Sequence, residues 1–548
     1  MSRDRADNRP DYKPDSRPDN RALRIHTPTH TRSHLLSIGL ALSLLVCVSL
    51  PTPGRAQWKS LDTYRKDFLT IGAYTDITAI TATDYYAYFG SSSGILRYDI
   101  LNRRFIEPLG FDNGLVGTTI RRLAASFDDE KLWVETDFGI YLFERVFGYW
   151  TQESKFPALQ NGGSYVSPEP IHNTPLGFTY YPDGVLMDDA GRQYITEPIY
   201  QDKSGYLWLG VHGFGPARSE VNGGDLEFLP FGLLEKQVSA LHRIGDTLLV
   251  AGYLGNSVRA GLTEIDLNTG AFDYIEQGLR QSFPESDVLS LGESNRALLI
   301  GTSLGLYEIS KKNHNTLGKY DRFSGLPSAQ VNASFGFGDT LFAATEFGLG
   351  VLYSDSTGSV ALRRTLLEGS RIYCLEPAYP GGRLKLPLSS HVRPRYLWIG
   401  SERGAYRLNV RTFKLKKLTD PEQILDGPVR QIRVVGANLW FLALDGLVRI
   451  NVQTGESESF PDINRFSDQT SFAVNERLIA IGTQSGLVLI PYQTKSGKKK
   501  RLTTIRFTIN DGLPSNYIST VEFIDEFLWI GSDNGLSRFW WNDPARVY

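Results

Sequence analysis

Short apolar runs recur along the chain, each stopped by a small residue, turned by a polar step, and followed by Gly and a second apolar run. The last is the clearest. Phe527-Leu528-Trp529-Ile530 ends at Gly531, Ser532-Asp533-Asn534-Gly535 makes the turn, and a second run occupies residues 536–541. Trp529 and Ile530 are adjacent with no polar alternation, which predicts a strand covered on both faces. Asn534-Gly535 between two strand-like runs predicts a hairpin, because a tight turn needs positive φ and Asn-Gly adopts it cheaply. A single hairpin cannot cover both its faces, so neighbours are required.

The neighbours are copies of the same pattern. Residues 87–99 read AYFGSSSGILRYD, 132–144 LWVETDFGIYLFE, 207–219 LWLGVHGFGPARS and 297–310 ALLIGTSLGLYEIS. Further copies begin at Thr340, Tyr396, Asn438 and Arg477, and a looser one with a longer turn begins at Leu248. With the last stretch there are ten. Their starts lie roughly 40 to 55 residues apart, with one gap of about 75 before Leu207, and similarity at such a period marks a propeller or solenoid. Short strands and turn-rich joints select the propeller.

Several copies are also linked by Gly-Leu turns: Asn510-Asp511-Gly512-Leu513-Pro514-Ser515-Asn516, Ser324-Gly325-Leu326-Pro327-Ser328 and Asp112-Asn113-Gly114-Leu115. In these motifs and in the repeated Leu-Trp-Ile-Gly strand, the chain resembles the two-component-regulator propeller repeat, a bacterial blade family. The resemblance covers essentially everything after Gln57. It implies an all-β propeller of ten or eleven four-stranded repeats, in two rings or alternatively one large ring. No catalytic residue comes with it.

Each repeat then reads as an inner strand, the Trp strand, the Gly-Leu strand and an outer edge strand. Trp133, Trp208, Trp398, Trp440 and Trp529 are expected in the core, where burial stabilises by roughly 1.5–3 kcal/mol per large side chain. A sugar-binding platform is the alternative. The last copy lacks an outer strand, and residues 57–64 resemble one, so the two ends of the chain are expected to pair and remove an exposed edge. Residues 149–194, rich in proline, read as an irregular insert or a degenerate blade.

Residues 1–33 are polar, with Asp7-Asn8-Arg9-Pro10 and Asp15-Ser16-Arg17-Pro18, and are expected to be disordered. Residues 35–50 form an apolar run behind Arg32 and His34, broken by Pro51 and Pro53. Gly54-Arg55-Ala56 follows, so the run reads as a signal peptide cleaved between Ala56 and Gln57, with a retained anchor as the alternative. The leader spans 1–56 and the repeats 57–548, and the mature chain is expected to hold no transmembrane segment. Val46 before Cys47 argues against lipidation. Cys374 is then the one mature cysteine and reads as a small buried hydrophobe. A formal charge of −2 does not favour nucleic acid.

Candidate chemistry is sparse. His172, His212, His242, His314 and His391 show no metal-ligand spacing, and there is no H-E-x-x-H, C-x-x-C, nucleophile elbow or phosphate loop. No metal, cofactor or catalytic residue is expected. Asp128-Asp129 and Asp188-Asp189 read as solvated turns, and Lys498-Lys499-Lys500-Arg501 as a solvated loop. The turns between second and third strands are more informative: the strands repeat while the turns differ, which describes a scaffold displaying a variable face. They supply Asp137, His212, Phe214, Glu346, Arg403 and Asp533 as candidate ligand contacts. The insert supplies Tyr180, Tyr181, Asp188 and Asp189.

The expected function is an exported, non-catalytic propeller that binds a ligand, a glycan among the candidates, or an envelope protein, in the periplasm or at the cell surface. The resemblance implies a sensor role, with signalling passed to another protein because no kinase or DNA-binding region follows the repeats. The alternatives are an envelope or secretion-accessory factor, and a propeller hydrolase or lyase acting on polysaccharide.

Overall fold

The computed structural model describes residues 68–543 except 111–113, 118, 159–162, 168–170, 172, 222–223, 256–258, 278–282, 284, 355–359, 380–393, 461–462, 464–468 and 493–503. The leader, the cleavage site at Ala56-Gln57, His172, His391 and the basic run at 498–501 lie outside the described residues. The described residues form nine four-stranded antiparallel sheets and one of seven strands, with no α-helix. The fold is all-β and propeller-like.

The inner strands of blades 1 to 10 are, in order, Ile77–Ala82, Ile120–Ala125, Gln193–Gln201, Val238–Ile244, Val288–Glu293, Val331–Phe337, Ile372–Ala378, Val429–Val435, Gln469–Val474 and Ile518–Ile524. A chain of side-chain hydrogen bonds shows which blades are neighbours. The second residue of an inner strand donates to the first carbonyl of the next: Ser239 Oγ to Val288 O at 2.6 Å, Asn332 Nδ2 to Ile372 O at 3.0 Å, and Arg430 Nη1 to Gln469 O at 3.2 Å. Ser290, a third residue, does the same to Val331 O at 3.2 Å, and Thr470 Oγ1 donates to Ile518 O. Ser519 Oγ of blade 10 then donates to Val238 O of blade 4 at 2.5 Å. Blades 7 and 8 meet where a Cβ on Gly400 would lie 2.6 Å from Val429 O, so blades 4–10 are a run of seven in which the last packs against the first.

Blades 1–3 form a separate group in the spatial order 3–1–2. Here Thr78 Oγ1 donates to Ile120 O at 2.6 Å. Glycine near the end of the second strand marks the same contacts. A Cβ on Gly210 would lie 2.8 Å from Ile77 Cβ, and one on Gly90 2.6 Å from Ile120 Cγ2. In the run of seven, a Cβ on Gly482 would lie 2.8 Å from Ile518 Cγ2 and one on Gly531 2.6 Å from Val238 Cγ1. Each glycine is the hole into which the next blade's first apolar residue fits, so these positions are extended strand with close neighbours.

The region 149–194 is shared between two sheets. Tyr149–Glu153 is the outer strand of blade 2, while Phe178–Tyr180 and Val185–Asp188 extend blade 3 beyond its inner strand. Ser164–Tyr165 also pairs with that inner strand, and the Tyr165 hydroxyl donates to Ile80 O at 2.7 Å and accepts from Ile80 N at 3.1 Å. The insert therefore satisfies part of the inner edge of blade 1. The two groups of blades meet through Phe231, whose ring lies 5.0 Å from Phe105 of blade 1 and 4.9 Å from Phe272 of blade 4.

The outer strand of blade 10 comes from the start of the described chain: Phe68–Ile71 pairs antiparallel with Gly535–Trp540, with Phe68 opposite Phe539 and Ile71 opposite Leu536. This strand lies downstream of residues 57–64, the segment expected to supply it; those residues lie outside the described ones. Of the repeat tryptophans, Trp208, Trp398, Trp440 and Trp529 are buried and Trp133 is half-buried.

Candidate ligand-binding face

Seven of the ten second-to-third-strand turns share one construction, the exceptions being those after Val211, Gly252 and Ala443. A Ser or Thr closes the second strand, two residues follow, and a Gly opens the third. The hydroxyl donates to the Gly carbonyl and accepts the N–H of the second turn residue. Thr302 Oγ1 to Gly305 O is 3.0 Å and Leu304 N to Thr302 Oγ1 3.0 Å, and Ser532 with Gly535 and Asn534 gives 2.9 and 3.2 Å. Ser91, Thr136, Thr345, Ser401 and Thr483 repeat the pattern. Positive φ falls on the Gly alone: Gly535 is at 117°, and Asn534 is not left-handed. The hairpin predicted at Asn534-Gly535 is present, with Ser532 opposite Gly535, but of the two residues only the Gly takes the positive φ. Asn534 keeps an ordinary conformation because the Ser532 hydroxyl holds the turn.

With the turn's polar groups satisfied internally, its two central residues are free to vary. Each second strand ends opposite the start of its inner strand, as Ser532 does opposite Ile518. In blades 4–10 these turns therefore lie at the end where the inner strands begin. Several present large apolar side chains to solvent: Leu304 is 49% exposed, Phe347 61% and Leu444 46%. Blade 4 adds Tyr253 and Leu254 from its longer turn, and Tyr517, just before the inner strand of blade 10, is also exposed. The Tyr253 phenol is raised by burial, by Tyr517 and by Asp287, and Asp287 Oδ1 accepts Leu254 N–H at 2.9 Å.

Glu346 and Arg403, on adjacent blades, are joined through one linker. Glu346 pairs with Arg371 and accepts from Asn332 Nδ2 at 3.1 Å. Arg403 Nη2 donates to Gly369 O at 3.0 Å, and Gly369 N to Phe347 O at 3.1 Å. Asp533 is exposed at the same end, in blade 10. The remaining candidates lie in the group of three. Asp137 accepts Thr119 N–H at 3.1 Å, and His212 pairs with Asp76. Phe214 is packed: it stacks on Phe228 at 4.5 Å, and Arg259 lies 3.9 Å over its ring. Tyr180 bonds Thr196 at 3.1 Å, and Tyr181 is exposed.

Asp188 and Asp129 depart from the solvated-turn reading. Both are buried. Asp188 Oδ1 accepts the N–H groups of Ala190 and Arg192, each at 2.9 Å, and Oδ2 accepts from Tyr194 OH at 3.0 Å. Asp129 accepts from Tyr88 OH at 2.6 Å. Asp188 folds inward because it organises local donors and Asp129 because Tyr88, Thr83 and Arg145 converge on it, while Asp128 and Asp189 beside them remain exposed. Asp202 repeats the Asp188 arrangement, taking Ser204 N at 2.9 Å, Tyr206 N at 3.0 Å and the buried Trp208 Nε1 at 2.9 Å. The spacing Asp-x-x-Gly-x-x-Trp/Tyr at 202–208 and 188–194 is the signal that could have found both. Asp202→Ala is expected to cost about 2 kcal/mol, because hydrogen bonds to a charged acceptor are lost and an indole N–H is left buried. Urea unfolding checks this, and a variant with wild-type stability would sink it.

Burial pushes the Cys374 thiol up to about 12, so it is protonated at neutral pH. Among the described residues no group of three His, Cys, Asp or Glu is arranged to hold a metal, and no helix is long and apolar enough to cross a membrane.

No family profile matches the chain, and no curated protein matches it. Solved structures do. The extracellular domain of a putative hybrid two-component system from B. thetaiotaomicron is 14% identical, over 86% of this chain and 71% of that one, with a TM-score of 0.41. A streptogramin B lyase is 13% identical over 56% and 93%, with a TM-score of 0.40. BamB from Moraxella catarrhalis is 14% identical over 70% and 98%, with a TM-score of 0.37.

Proposed function

We propose that this is an exported, non-catalytic propeller that binds a partner protein or ligand through the turn face of blades 4–10, in a sensor role like that of two-component-regulator propellers. One observation carries the reading: the second-to-third-strand turns present Leu304, Phe347 and Leu444 to solvent at one end, with Tyr253, Leu254 and Tyr517. Exposed apolar groups gathered on one surface mark an interaction site. Export rests on the apolar run at 35–50 and the Gly54-Arg55-Ala56 cleavage pattern.

The test is capture from envelope extract with the chain lacking its leader. Wild type and Val452→Ser, an exposed residue in a third-to-fourth-strand turn at the opposite end, are expected to recover the same partner. Leu304→Ser/Phe347→Ser/Leu444→Ser is expected to lose it at least tenfold while unfolding like wild type, since each change is at the surface. Full capture by the triple variant would remove the turn face from consideration. A sensor kinase among the captured proteins supports the signalling role, and outer-membrane components point instead to an envelope-accessory role.

A further inference from the structure

The outer edge of blades 6 and 7 concentrates positive charge that the turn face does not use. The outer strand of blade 6, Val360–Leu366, pairs on one side with Gly348–Ser354 and is the last strand of its sheet among the described residues. Its register slips at Arg363: Arg364 stands opposite Val351 and Leu362 opposite Leu352, leaving Arg363 as the extra residue of a bulge. The bulge interrupts side-chain alternation, and two consecutive arginines reach one ring. The Arg363 guanidinium lies 5.9 Å and that of Arg364 5.5 Å from the centre of Phe413. Phe413 is in the turn before the outer strand of blade 7, Leu415–Lys417, with φ at 55°. That conformation is held by Asn409, whose carbonyl accepts Phe413 N at 2.8 Å and whose side chain accepts Arg411 N and Thr412 N, each at 3.0 Å.

The same turn and strand add Arg411, Lys414 and Lys416. All five cations are exposed, and none pairs with a described carboxylate. Other cations of these blades do have partners, such as Arg371 with Glu346 and Lys417 with Asp426 at 2.9 Å. Other outer strands carry acids: Asp273 and Glu276 in Phe272–Glu276 of blade 4, and Glu458 in Ser457–Phe460 of blade 8. A cation on an edge strand also deters pairing with another copy. That role needs only a scattered lysine. It does not account for two arginines brought onto one ring by a bulge, with three more cations across the blade boundary.

We propose that the Val360–Leu366 edge receives an acidic, extended segment of a partner protein, added to blade 6 as a fifth strand. The open backbone edge supplies ladder hydrogen bonds, and the five cations select carboxylate-bearing side chains and speed the encounter. A phosphate or a lipid surface would use the charges and leave the edge idle. This site is separate from the turn face, so either can fail without the other.

The probe is a fluorescein-labelled acidic peptide, Thr-Glu-Val-Glu-Thr-Glu-Val-Glu, titrated with the chain lacking its leader and followed by anisotropy at low and high salt. The peptide is expected to bind and weaken with salt, and its analogue with Lys in place of Glu to bind at least tenfold more weakly. Arg363→Gln/Arg364→Gln is expected to weaken binding at least tenfold while melting like wild type. Two further peptides carry N-methyl groups on complementary alternate amides, and one of the two is expected to lose at least tenfold while the other holds. Equal binding of both methylated peptides and the parent would show a contact made by charge alone and overturn strand addition. So would wild-type binding by the double variant. Failure of the acidic peptide to bind also overturns the proposal, and binding of phosphatidylglycerol vesicles in that case would reassign the patch to a lipid surface.

Discussion

Replacing Gly531 with Val is expected to destabilise the protein by about 3 kcal/mol, at the upper end of the usual cost of overpacking a core. Gly531 lies inside the strand Phe527–Ser532, where even one added carbon would stand 2.6 Å from Val238 Cγ1 and 2.7 Å from Thr520 Cγ2. Neither neighbour has room to yield. Val238 is buried, and its carbonyl accepts the Ser519 hydroxyl that ties blade 10 to blade 4. Relief therefore requires the two blades to separate, which exposes apolar surface on both. Gly255→Ala is the control: nothing lies within 4 Å of its would-be Cβ and its φ is not positive, so it should melt like wild type. Urea unfolding of the two variants decides the matter, and equal midpoints would show that blades 4 and 10 are not in close contact.

That glycine also shows where the sequence stops being informative. The repeated Leu-Trp-Ile-Gly pattern identifies the middle strands, because continuous apolar runs reflect burial on both faces. It does not say what the glycine meets. The contact is made by Val238, nearly three hundred residues upstream, and only the packed structure brings the two together. The grouping of blades was hidden for the same reason: blade 10 meets blade 4, and blade 3 meets blade 1, through residues whose partners are remote in the chain. Turn chemistry was more nearly legible. Ser/Thr-x-x-Gly recurs, and its spacing suffices to place a hydroxyl between the Gly carbonyl and the second turn N–H. Reading Asn534-Gly535 as the source of the turn overlooked the residue two places earlier. At the candidate face, attention to charged residues found Glu346 and Arg403 but passed over Leu304 and Leu444, since an apolar residue in a turn gives no chemical motif. Asp188 read as a solvated turn because adjacent acids on a strand point to opposite faces; two of the donors that draw it inward are backbone N–H groups, which every residue but proline shares, and the third is the Tyr194 hydroxyl.

The strand Phe68–Ile71 is expected to matter more than any single glycine. It is the outer strand of blade 10, with Phe68, Leu69 and Ile71 buried and Thr70 Oγ1 3.3 Å from Ser537 Oγ. Phe68 fills a site between Phe539 at 5.0 Å and Phe507 of blade 9 at 5.3 Å, so it joins two blades as well as ending one. Phe68→Ala should cost about 3–5 kcal/mol, through lost burial and the cavity left between those rings. Replacing all four residues by Gly-Ser-Gly-Ser keeps the chain length and removes the strand. That variant should lose more, because Leu536, Ser537, Arg538 and Phe539 then face solvent along an unpaired edge and each ladder hydrogen bond contributes about 0.5–1.5 kcal/mol. An open edge also invites pairing with another copy, so light scattering should show self-association for the four-residue replacement and much less for Phe68→Ala. The two readings separate the side chain from the backbone. If the replacement stays monomeric and unfolds with wild-type stability, pairing of Phe68–Ile71 with Gly535–Trp540 does not hold blade 10, and its edge is protected in some other way.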